Sequence, residues 1–123
     1  MSSWYKSVNM KKYILLIRQT DRITYDLIES GEKRVETRAA SPRYKDIKDG
    51  DMVVFKCGKD SFERIIKKTQ KFKNVDKMLD HYDVKDINPS VSTVEELKSM
   101  YNSYSGYKEK LKKHGIIAFE LLE

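Results

Sequence analysis

Hydrophobic and polar positions change their period several times along the chain, and each change predicts an element. Between charged residues, Lys12 to Arg18 holds the apolar run Ile14-Leu15-Leu16-Ile17. That run is too brief for a core helix and predicts a buried strand. A helix follows it. Thr20 or Asp21 can cap its start, Ile23, Leu27 and Ile28 make one apolar stripe, and Gly31 stands where a left-handed terminator is needed. Arg34 to Arg38 then alternates with period two, so Val35 and Thr37 fall on one strand face and Arg34, Glu36 and Arg38 on the other.

The next stretch, Ala39 to Lys48, is a loop containing Ser41-Pro42-Arg43-Tyr44, and Lys48-Asp49-Gly50-Asp51 is a turn into a central strand at Met52 to Phe55. Gly58 and Asp60 support a hairpin turn from Cys57 to Ser61. The strand beyond it, Phe62 to Lys68, continues in bent form toward Phe72. Asn74 caps a short helix carrying Val75, Met78, Leu79 and Tyr82 at helical spacing, and Asn88-Pro89 interrupts. Thr93-Val94-Glu95-Glu96 forms a capping box ahead of Leu97, Met100, Tyr101 and Tyr104. The closing run, Gly115 to Leu122, is apolar almost throughout, which predicts a central strand with Ile117, Phe119 and Leu121 on one face. The order of elements is α+β, and no repeat or linker divides residues 1–123, so a single domain is expected.

Composition narrows the function. The 25 basic and 19 acidic side chains leave +6, a balance suited to a polyanionic partner. The excess is local: residues 1–75 hold 18 basic and 10 acidic side chains, residues 76–123 only 7 and 9. Lys56 to Lys73 is the densest part, with Lys67 and Lys68 at its centre. Such a run either attracts a phosphate backbone or serves as a solvated, aggregation-resistant edge. No apolar run approaches the roughly 20 residues that cross a bilayer, and the amino terminus lacks a signal-peptide core, so a cytoplasmic protein without a membrane partner is expected. The lone Cys57 permits no internal disulfide. Cys57, His81 and His114 have no metal-ligand spacing, and no cofactor is expected.

The candidate chemistry gathers at Lys33, Glu36 and Arg38. Lys33 and Arg38 can meet phosphate, Arg38 through a bidentate fork, while Glu36 can orient a cation or accept from a base. A regular strand beginning at Lys33 would point it away from the other two, so convergence requires Lys33 to lie in the turn. The competing reading is a salt-bridged strand face with Glu36 between Arg34 and Arg38. Arg43, Tyr44 and Lys45 combine charge and an aromatic ring in a loop, as an accessory contact would. Tyr107 is a candidate stacking platform beyond the helix, whereas the spacing of Tyr101 and Tyr104 favours the core.

Residues 25–38, with Gly31, Lys33, Glu36 and Arg38 spaced as Gly, Lys, two residues, Glu, one residue and Arg, resemble the signature of the ASCH domain family of the PUA-like superfamily. The turn and strand at Ile47 to Phe55, the short helix at Phe72 to Leu79 and the closing strand at Lys113 to Leu121 extend the resemblance over about residues 12–122. It implies a small, partly open mixed β-barrel of about five or six strands with flanking helices, and a cleft beside the first helix and second strand. It further implies binding of RNA or a nucleotide, in RNA-linked regulation or metabolism. A hydrolase acting on RNA or an acylated cytidine is a second reading, with Lys33 and Glu36 as the catalytic pair, and a protein-interaction module is a third. In the acylcytidine-hydrolysing members a threonine follows the motif lysine by three residues. Here that position is Glu36, Thr37 comes one residue late, and no glutamate matches the third catalytic member.

Overall fold

Hydrogen-bond order in the sheet departs from chain order, and the departure creates the one gap that matters. The structure is a computed structural model and describes residues 10–122. Its strands are β1 (Lys12–Leu16), β2 (Val35–Ala39), β3 (Met52–Cys57), β4 (Asp60–Phe72) and β5 (Ile116–Leu121). They pair in the order β1-β3-β4-β5-β2, with β1 parallel to β3 and every other pair antiparallel. β4 belongs to both halves: its first part pairs β3, its second part pairs β5, and the register shifts between Ile66 and Lys68. Such a bulge bends a strand. The sheet curls into a half-barrel whose edge strands, β1 and β2, come near each other without pairing.

Helices fill in around this sheet. A 3-10 turn at Gln19–Asp21 leads into α1 (Arg22–Ser30); α2 (Val75–Met78), α3 (Val84–Ile87), α4 (Val94–Ser103) and α5 (Tyr107–His114) lie between β4 and β5. Gly31 ends α1 at φ 87°, a left-handed position that glycine occupies without a Cβ penalty. Asn74 accepts from the Lys77 amide to cap α2, and Thr93 accepts from the Glu96 amide to cap α4. Two cores result. One inside the curl contains Leu15, Ile28, Phe55, Ile66, Ile117 and Phe119. The other, between the sheet and the late helices, contains Val35, Met78, Ile87, Leu97, Tyr101, Ile116 and Ala118. β5 serves both, which is why its first four residues are fully buried and its sequence is apolar on both faces.

Several expectations need correction. The β1 run is not buried throughout: Leu15 is 0% exposed but Ile14 and Leu16 are 52% and 57%, because an edge strand of a one-sided sheet buries only alternate residues. Ile23 is exposed and Tyr25 takes its place in the core. Asp21 does not cap α1 with its side chain, which instead pairs with Arg18 at 3.0 Å. Glu96 reaches the Ser92 amide rather than that of Thr93, so the capping box is half formed. The helices α3 and α5 had no strong apolar period to announce them, and Tyr107 begins α5 rather than standing beyond a helix.

Gly115 joins α5 to β5 at φ 76°, and a Cβ there would stand 2.5 Å from the Phe72 carbonyl oxygen. Gly115→Ala is expected to destabilise the fold by more than about 1 kcal/mol. Gly50 shares the positive φ but has nothing within 4 Å of its Cβ position, so Gly50→Ala should lose less. Urea unfolding of the two variants checks this; equal losses would contradict a backbone clash at Gly115.

Candidate functional site

A cavity of about 360 Å³ lies in the gap between the two edge strands. The end of β1 contributes Leu16, Ile17 and Arg18, the approach to β2 and β2 itself contribute Lys33, Glu36, Thr37 and Arg38, and the late helices contribute Asn88, Met100, Tyr104 and Tyr107. Its size falls within the roughly 300–1,000 Å³ of ordinary small-ligand sites. Arg38 bridges the opening, since its Nη2 donates to the Leu16 carbonyl across the gap at 3.2 Å.

Lys33 lies in the turn ahead of β2, its backbone amide bonded to the Leu27 carbonyl at 2.9 Å, and this frees its side chain from strand alternation. Glu36 and Arg38, two residues apart on β2, face the interior of the curl beside Phe119 and Ile117. All three therefore converge. Lys33 Nζ donates to the carbonyls of Val35 and Ile87 and pairs with Glu36 Oε1 at 3.3 Å. The other carboxylate oxygen of Glu36 accepts from Arg38 Nε at 3.1 Å and Nη2 at 3.0 Å. Lys33 and Glu36 are 5% and 6% exposed.

These contacts divide the roles. An ammonium has three N–H donors and Lys33 has three protein acceptors, so it is saturated and acts as a strut for Glu36. A guanidinium has five, and Arg38 spends those on Nε and Nη2 inside the network. Among the described residues Nη1 has no acceptor, so two donors of this cavity-lining arginine are unspent. Two cations, one buried and one part-buried, around one buried carboxylate also leave a positive excess. Burial lowers the Lys33 pKa despite Glu36, while burial of Glu36 is outweighed by Lys33 and Arg38, which hold its carboxyl below the ordinary range. Burial opposes the charge on Arg38, but Glu36 prevails and raises its pKa.

The aromatic wall is more ordered than its spacing suggested. Tyr101 and Tyr107 stack with centroids 5.9 Å apart, and Tyr104 meets Tyr107 edge-on at 5.6 Å. The Tyr101 hydroxyl bonds Thr37 Oγ1 at 2.5 Å, which turns that threonine's side chain away from Glu36 and Arg38. Tyr107 accepts from the Ala39 amide at 2.8 Å, and burial and Glu36 push its pKa up to about 12, so it stays protonated. Tyr104 is half-buried at the cavity, with the Arg18 guanidinium 5.5 Å from its ring centroid.

Lys33, Glu36, Arg38 and Tyr107 are thus brought together, and the other candidates are not. Arg43 and Lys45 are exposed on the loop after β2, and only Tyr44 reaches the network, 5.7 Å beneath the Arg38 guanidinium. Lys67 and Lys68 lie at the bulge of β4, two strands from the cavity, where Lys68 stands opposite Glu120. Charge density pointed to them, but charge density does not report which face a bulge turns outward. Arg18, Asn88 and Tyr104 were not foreseen; Arg18 follows directly on the β1 run, a position that the topology alone makes part of the cleft. Cys57 is buried, and among the described residues no group of three or more His, Cys, Asp and Glu side chains is placed to hold a metal ion. No described helix is long and apolar enough to cross a membrane.

The ASCH domain family matches residues 24–123, a span holding the Gly31 to Arg38 motif and every strand except β1. The chain belongs to the ASCH domain family. Among solved structures, this ASCH domain is similar to the crystal structure of hypothetical protein PH0355, with a TM-score of 0.74 and 26% identity over 89% of this chain and 96% of that one. It also shares its fold with the solution NMR structure of protein PF0455 from Pyrococcus furiosus, with a TM-score of 0.69 and 24% identity over 89% and 94% of the two chains. No curated protein matches it. Lys33, Glu36 and Arg38, three of the four residues that carry the resemblance in sequence, form one ion-pair network, so that part of the motif corresponds to a physical unit.

The sign of the Glu36 shift gives a pH dependence. A carboxyl held below its unfolded pKa contributes stability that is full above that value, about 4.3, and is lost as pH falls through the folded pKa. Wild type should therefore lose stability more steeply than Glu36→Gln on acidification below about pH 4.5. Urea midpoints measured down to pH 3 check this, and parallel curves would contradict it.

Proposed function

We propose that this ASCH domain binds single-stranded RNA or a nucleotide, with the cavity between β1 and β2 as its site. The observation that carries the reading is the pair of Arg38 Nη1 donors left over at a cavity with a positive excess and a tyrosine wall. Fork-shaped donors suit phosphate, and aromatic side chains suit stacked bases. Family membership supports an RNA-binding module of the PUA-like kind. In this reading Lys33 and Glu36 position Arg38, Tyr104 and Tyr107 flank the base, and Arg43, Tyr44 and Lys45 sit where a strand leaving the cavity passes. Lys67 and Lys68 attract phosphate at longer range. Hydrolysis by Lys33 and Glu36 is the weaker alternative. It would require Lys33 to give up one of three acceptors, and the nearby Thr37 hydroxyl is engaged by Tyr101.

Titration of a fluorescent single-stranded RNA at several salt concentrations tests the proposal. Log affinity should fall linearly with log salt, with a slope of about −0.7 for each phosphate contact. No binding even at low salt would contradict it.

A further inference from the structure

The outward edge of β2 can be followed group by group. Arg34 O accepts from Leu121 N at 3.0 Å, and Ala40 N donates to Gly115 O at 2.9 Å. In an antiparallel ladder bonded pairs alternate with unbonded ones, so Glu36 and Arg38 also direct their backbone groups at β5. Val35, Thr37 and Ala39 direct theirs away from it. On that outward side the Val35 carbonyl accepts from Lys33 Nζ, and the Ala39 amide donates to the Tyr107 hydroxyl. Between these two capped positions stand the N–H and C=O of Thr37, with no strand beside them among the described residues. Thr37 lines the cavity, and with its hydroxyl engaged by Tyr101 its remaining polar groups are those of its backbone.

We infer that Thr37 N–H and C=O recognise the Watson–Crick edge of one unpaired nucleobase; this rests on the RNA-binding reading of the same cavity. A sheet edge usually invites another strand, but strand addition needs several successive residues with open backbone groups. Lys33 takes the Val35 carbonyl and Tyr107 the Ala39 amide, the outward groups that flank Thr37, and between them one donor and one acceptor remain. That is what the Watson–Crick edge of a single base requires, since each base carries a donor and an acceptor side by side there. A base already paired in a duplex has none to offer, so the ligand is a single strand or a base turned out of a helix. Arg38 Nη1, one residue further along β2, is then near enough to meet the sugar-phosphate of the same nucleotide.

Isotope-labelled protein titrated with UMP, GMP and their N3-methyl and N1-methyl counterparts tests this, because those methyl groups block the edge without adding charge. The Thr37 amide resonance should move on adding UMP or GMP, and the methylated form should bind at least tenfold more weakly. Thr37→Val, which leaves the backbone in place, should keep the response. A silent Thr37 amide with both parent nucleotides, equal binding of methylated and parent forms, or a larger Thr37 shift from an extended alanine tetrapeptide would each overturn the inference. If single-stranded RNA still binds with the salt dependence above, the broader reading stands without it. If RNA fails to bind at any salt concentration, both fall.

Discussion

Glu36→Gln is expected to be the most destabilising single change of a polar residue in the domain, by about 3–5 kcal/mol. Glutamine preserves shape and volume, so no cavity opens. What changes is charge: buried Lys33 and part-buried Arg38, held around the carboxylate, become two cations with only carbonyl partners. Lys33 and Glu36 are almost wholly withdrawn from water and Arg38 largely so, which separates this network from the exposed pairs such as Lys12 with Glu63, whose loss should be worth under about 1 kcal/mol. Lys33→Met should also destabilise, since it takes the donor from two carbonyls and one ally from Glu36. Because the groups share one network, the double variant Lys33→Met/Glu36→Gln should lose less than the two single losses combined. Urea unfolding of the four proteins measures this coupling. Additive losses would mean that the contacts are incidental.

The second large effect concerns binding. Arg38→Lys should weaken binding of single-stranded RNA by about tenfold to a hundredfold, the range expected when a charged hydrogen bond worth about 1.5–3 kcal/mol is lost. Lysine keeps the charge but has no fork. An ammonium that satisfies Glu36 and reaches the Leu16 carbonyl has little left for a ligand. Thermal unfolding of the same variant separates binding from folding, as the charge that Glu36 needs is retained. Arg43→Ala, on the exposed loop, should weaken binding several-fold less. Equal losses in the two variants would move the site out of the cavity and onto the general basic surface.

Much of this arrangement was legible in the sequence because it depends on local rules. Period-two alternation at Arg34 to Arg38 identified the strand, Gly31 marked the helix end, and the placement of Lys33 in the turn followed from the need to converge with Glu36. The doubly apolar β5 announced its central position. Long-range pairing was not legible. No local signal says that β1 runs parallel to β3 and so ends beside β2, yet that topology makes Arg18 part of the cavity and lets Arg38 reach Leu16. The network's saturation was equally hidden, since the carbonyl of Ile87 that completes Lys33 comes from a helix of four residues with no strong period of its own. Lys67 and Lys68 show the same limit from the other side: a conspicuous charge run is legible in the sequence, but strand order sets it two strands from the cavity.

RNA bound as proposed enters the gap between the two edge strands. Mapping amide shifts of the labelled protein with a short single-stranded RNA tests it most directly. The largest shifts are expected on Leu16 to Arg18, Lys33 to Arg38 and Tyr104 to Tyr107. Shifts concentrated instead on Lys67, Lys68 and their neighbours on β4, with the edge strands silent, would contradict it.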